Sequence, residues 1–198
     1  MTKFSKIPTD TFKKLQMNAG ILTRAFTPAT GTIEDNDIIG ATSGGVAFEA
    51  TPSFSDFGED IDNCPKNTKE LKRLDDWEVK MSGTFVTVDT KVAKLMVGLA
   101  DIDTSDPTKV VPRTNIDLTK DFTDIWWVGD YSDVTTGTSA GFLAIHLMNA
   151  LSSGGFKLQS GDKAKGQFEF EFTGHFSMDA QDVVPFEIYA KTGTAAAA

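Results

Sequence analysis

The sequence predicts a mostly β chain, a sandwich or barrel of roughly eight strands with one flanking helix. Three observations carry this. Several segments alternate apolar and polar residues with period two, clusters rich in Gly, Pro, Asn and Asp separate them, and one stretch (Val92, Leu95, Met96, Leu99) has helical spacing. At 198 residues the chain suits a single domain spanning 1–198.

Taken in order, residues 1–18 form a polar N-terminal arm in which Pro8-Thr9-Asp10 can start a short helix through Gln16. Gly20 to Phe26 reads as a first strand, Asp37 to Ala41 as a second, and Gly44-Gly45 as a turn. Val46, Phe48 and Ala50 then alternate with Ala47, Glu49 and Thr51 as a half-buried strand. Residues 52–75 read as a long loop, acidic in its first half (Asp56, Glu59, Asp60, Asp62) and basic in its second (Lys66, Lys69, Lys72, Arg73). Loops of that length are usually functional or disordered. Phe54 and Phe57 within it need somewhere to dock, on their own domain or on a partner.

The clearest strand is Asp76 to Val88, with Trp77, Val79, Met81, Gly83 and Phe85 on one face. Asp89 or Thr90 caps the helix that follows, over about 89–100. Val110-Val111 is a short strand, and Phe122 to Val128 a longer one. In the latter, adjacent Trp126 and Trp127 must point to opposite faces, one into the core and one away from it. Gly129 to Gly141 is a turn-rich connection, and Phe142 to Leu151 a strand apolar on both faces. Phe168, Phe170, Phe172 and Phe176 line one face of the next strand, Pro185 to Tyr189 form the last, and 193–198 is a flexible small-residue tail.

Composition narrows the function. The net charge is −9, from 28 acids and 19 bases, which argues against a duplex-binding surface built on clustered cations. Cys64 is the only cysteine, so neither an intrachain disulfide nor a zinc site built on paired cysteines can form. Met1 to Lys6 has no apolar run typical of a signal peptide, and no segment is long and apolar enough to insert in a membrane. The chain is therefore expected in the cytosol, or released by lysis. His146 and His175 stand far apart with no nucleophile or ligand at a recognisable spacing. Nucleotide-binding glycine motifs are absent, and the acids at 56–62 lack the spacing of a calcium loop. The reading is of a non-enzymatic protein needing no cofactor.

The order of features resembles the major tail tube protein of long non-contractile-tailed phages, a family related to contractile-tail and type VI secretion tubes. The resemblance runs over most of residues 19–192. It rests on the strand–helix unit at 76–100, with Trp77-Glu-Val-Lys-Met-Ser-Gly-Thr-Phe-Val-Thr-Val, and on the pair Gly166-Gln-Phe-Glu-Phe-Glu-Phe-Thr-Gly-His-Phe and Val184-Pro-Phe-Glu-Ile-Tyr.

That resemblance implies a virion tail protein assembled in the host cytoplasm. Its homo-oligomer would be hexameric rings stacked into a tube, with tape-measure, tail-terminator and tail-tip proteins as partners. DNA would pass through an acidic channel without specific binding. It also implies that loop 52–75 is the inter-ring contact, here through Phe54, Asp56, Phe57, Glu59, Asp60, Lys69, Lys72 and Arg73; with too few apolar residues to form a core alone, the loop is expected to be poorly ordered before assembly. Glu49, Glu78, Asp124 and His146 would face the channel, with Phe48, Val79, Ile125 and Ile145 turned to the core. An acidic wall suits passage of duplex DNA, which carries about one charge per 1.7 Å and would be held by a cationic one. The alternative is a small-ligand or carbohydrate-binding β-sandwich, such as a phage adsorption module, with Trp77, Trp126 or Trp127 lining a pocket.

Overall fold

Alternation, helical spacing and turn chemistry produce eleven strands and one α-helix in the computed structural model, which describes residues 6–114, 118–131 and 140–193. The tail from 194, residues 1–5 of the arm and the centres of the connections at 115–117 and 132–139 lie outside the described residues. The strands are β1 (Ile21–Thr23), β2 (Ile38–Gly40), β3 (Thr42–Asp56), β4 (Lys72–Phe85), β5 (Ala100–Ile102) and β6 (Val110–Pro112). They continue with β7 (Thr123–Asp130), β8 (Phe142–Ser152), β9 (Lys157–Gln159), β10 (Gln167–Thr173) and β11 (Phe186–Lys191). In the N-terminal arm the expected helix is a single 3-10 turn, Thr11–Lys14.

Nine strands form one antiparallel system in the order β2-β1-β7-β8-β10-β4-β3, with β11 on β8 and β9 on β10; β5 and β6 pair separately. The turning point is β8. Its first part pairs with β7 and β11, while Leu151 and Ser152 at its end pair with Thr173 and Phe172 of β10. The two halves therefore face each other across one core. Leu22, Ile125, Trp127 and Leu147 come from one half, Val79, Met81, Phe85, Phe170 and Phe172 from the other. Phe186 of β11 touches Phe48 and Trp77 of the opposite half, with ring centroids 5.6 and 5.5 Å away. Each such buried side chain contributes about 1.5–3 kcal/mol of transfer free energy.

Gly83 shows why the core accepts so many phenylalanines. It pairs with Phe170 across β4 and β10, and a Cβ there would meet the Phe170 ring at 2.8 Å. The missing side chain is the space the ring fills.

The helix α1 (Thr90–Val97) starts where the sequence places it, with Asp89 Oδ1 accepting from the Val92 amide at 2.7 Å. It ends earlier than expected, because Gly98 (φ 78°) closes it and Ala100–Ile102 extends into β5. Val92 and Met96 are buried against the core.

Three expectations need correcting. Gly44 and Gly45 do not turn the chain; at φ 80° and 85° they form a bulge inside β3, where the register with β4 shifts between Thr42 and Val46. Residues 52–75 are not all loop. Pro52–Asp56 and Lys72–Asp75 are paired strand, and the connection is 57–71. Pro52 is tolerated because β3 is an edge strand. Lastly, both Trp126 and Trp127 are buried, on opposite sides of β7. Trp127 enters the main core, and Trp126 a second cluster with Phe26, Val128, Phe142 and Ala144.

Candidate functional site

The β3–β4 hairpin is longer than the core it serves. Among the described residues, the core cluster draws on β3 as far as Ala50 and on β4 from Trp77 onward, so Ser53 to Asp76 form an arm beyond it. Arm strands are solvated on both faces, which removes the burial that would otherwise hold them. The tip instead carries its own hydrogen bonds. The Asp56 carboxylate accepts from the Gly58 amide at 2.9 Å and the Asn67 amide at 2.8 Å. These bonds hold Asp56 below the ordinary carboxylate range. The Phe57 amide donates to Leu71 O at 3.0 Å, and Lys72 Nζ reaches Asn67 Oδ1 at 3.1 Å while lying over the Phe54 ring. These bonds close the tip on itself.

What the tip leaves uncovered is apolar. Phe54, Phe57, Ile61 and Leu74 are each about half exposed (45–57%). Phe54 pairs with Leu74 across the hairpin. Such a patch on a projecting arm is a candidate contact surface. The eight residues assigned to this contact all lie on the arm: Phe54 and Asp56 on β3, Lys72 and Arg73 on β4, and Phe57, Glu59, Asp60 and Lys69 in the connection.

The four residues assigned to the channel do not share a face. Glu49 and Glu78 lie on the outer side of the β3–β4–β10 half, Asp124 and His146 on the outer side of the β7–β8–β11 half, with the core between. The inward partners Phe48, Val79, Ile125 and Ile145 do reach that core. Alternation within a strand reports inside against outside, and both outsides of a two-layer fold look alike to it. On the first face, Glu49 pairs with Lys80 and Glu171 with Ser82. Lys80 is ion-paired to Glu78, which holds it above its ordinary value.

On the second face His146 is largely enclosed. Its ring stacks on Trp126 with centroids 3.9 Å apart. Nε2 faces Asp124 Oδ2 at 3.2 Å and Nδ1 faces Glu187 Oε2 at 3.6 Å, without the alignment of a hydrogen bond. Tyr189 donates its hydroxyl proton to Glu187. Glu187 and Tyr189 were not singled out in the sequence, because β11 meets β8 only through a register that no local pattern reveals. The grouping lacks a nucleophile beside the histidine. Among the described residues no group of three or more His, Cys, Asp or Glu side chains could hold a metal ion, and no helix is long and apolar enough to cross a membrane.

Besides an open pocket on the tip itself, between Phe54, Glu59 and Lys66, two further pockets bear on these readings. One of about 330 Å³ beside α1 is lined by Arg24, Lys91, Lys94 and Lys120 over Leu95, Phe122 and Leu151. It was missed because those cations come from three separate parts of the chain, Arg24, the α1 pair and Lys120. The other, about 460 Å³, lies between Trp77, His175 and Phe176, and is where a ligand-binding reading would have to sit once Trp126 and Trp127 are buried. No protein-family model matches the chain, and no curated protein matches it at a significant level.

Proposed function

We propose that this chain is a structural subunit of a phage tail tube, forming hexameric rings that stack around a channel for DNA. The observation that carries the reading is the arm: a hairpin that outruns its own core and ends in exposed Phe54, Phe57, Ile61 and Leu74. A monomer gains nothing from such an arm, and a stacked assembly buries it. The free edge of β3 adds to this. It is fifteen residues long and, among the described residues, pairs only with β4, so the outer edge offers backbone groups to another copy. The hexameric number, the virion location and the tape-measure, terminator and tip partners rest on the family resemblance.

Within this proposal the β3–β4–β10 face is the channel wall, with Glu49, Glu78, Glu169 and Glu171 presenting negative charge to DNA. The opposite face is the poorer candidate because Phe26 and Ile33 cover part of it. The test is to purify the chain and follow assembly by light scattering and negative-stain microscopy. Rings or tubes without any added cofactor are expected. A stable monomer at all concentrations and salts, responding to a sugar at the Trp77 pocket, would favour the ligand-binding alternative.

A further inference from the structure

We propose that the basic pocket beside α1 receives the acidic hairpin tip of the next copy of this chain. The inference rests on the assembly reading and names the surface that the arm seeks. Three observations support it.

The first is charge. In a chain of net charge −9, Arg24, Lys91, Lys94 and Lys120 converge on one pocket. The carboxylate among them, Asp121, is already engaged by Arg113, and Lys94 has only Asp101 at 3.9 Å. Lys91 and Lys94 project together because residues three apart share a helix face. The first half of the tip offers the complement, while Lys66 and Lys69 stand in its second half. Glu59, Asp60 and Asp62 are exposed, and none has an ion-pair partner among the described residues.

The second is shape chemistry. The pocket lining sets Leu95, Phe122 and Leu151 among the cations. The tip sets exposed Phe57 and Ile61 beside its acids. Apolar burial beside complementary charge is the chemistry of a specific interface.

The third is direction. The tip lies beyond Lys72 at the start of β4, whereas the pocket lies toward its far end. Ser152 of the pocket sits against Phe172, which pairs with Met81. Strand rise places Met81 about 30 Å from Lys72, so a tip cannot fill its own pocket. A knob and a socket on different parts of the subunit make a head-to-tail contact, which yields a ring or an open filament instead of a two-fold dimer.

The test is charge exchange in the full chain. Lys91→Glu with Lys120→Glu reverses the pocket, and Glu59→Lys with Asp60→Lys reverses the tip. Each double variant should fold with unchanged circular dichroism, yet polymerise at least about tenfold more slowly than the parent, as opposed charges at an interface demand. The variant carrying all four changes should recover parental assembly. Independent evidence comes from Cys64, which lies in the tip. With Lys91→Cys added, a short bismaleimide should join Cys64 of one copy to position 91 of another, giving a ladder of oligomers. Tubes that form without this cross-link, or charge reversals that assemble like the parent, overturn the pocket while leaving the assembly reading standing. A chain that stays monomeric and gives no cross-link overturns both.

Discussion

Asp56 and Asp121 show how single carboxylates do different work in this chain. Asp56 is half-buried, and its value is organisational: it gathers the Gly58 and Asn67 amides and so shapes the tip. Its folded pKa lies below the ordinary value of about 3.9. Its contribution is therefore fully present above that value and is lost as pH falls through the folded pKa. Amide shifts of Gly58 and Asn67 followed by NMR should titrate with a midpoint under about 3.9, and a midpoint at or above it would remove the carboxylate from the tip's frame. Asp121 is the opposite case. Its side chain is 1% exposed and pairs with Arg113, itself 14% exposed, which also meets Asp101 at 3.2 Å. Asp121→Ala leaves that guanidinium short of its buried partner and should cost about 3 kcal/mol in denaturant unfolding. Glu59→Ala, exposed and unpaired, should stay within about 0.5 kcal/mol.

At the scale of elements, the role proposed for the arm separates folding from assembly. Replacing 57–71 by a two-residue Asn-Gly turn joins Asp56 directly to Lys72, a length and composition that close a hairpin. The shortened chain should melt as the parent does while failing to form long tubes. Unfolding instead would place the tip in the core. The arm also shows what sequence can and cannot display. Trp77 to Phe85 and Gln167 to Thr173 were plain because one face of each is buried and the other wet, which is what period-two alternation records. Lys72-Arg-Leu-Asp-Asp carries no alternation because it is wet on both faces, and Pro52 read as a stop although an edge strand accepts it. The bulge at Gly44-Gly45 looked like a turn for the same reason, since φ above zero suits either. Trp126 was legible as opposite to Trp127 but not as buried, since Phe26 and Phe142 arrive from distant parts of the chain to cover it.

For the whole molecule, two outer faces, a free edge and a projecting arm define how copies would meet. The acids proposed for the channel were found by alternation, yet choosing between the faces required the fold: β8 bends the sheet over, placing Glu49 and Glu78 on one side and Asp124 and His146 on the other. Tails built with Glu49→Lys and Glu78→Lys should assemble but release DNA more slowly, because the wall then offers phosphates cationic partners. Unchanged release would move the channel away from this face. The central claim is self-assembly through the arm, and electron microscopy of the purified full-length chain tests it most directly. The account predicts rings and tubes with an open channel, lengthening as concentration rises. Only single subunits, at every concentration and salt, would contradict it.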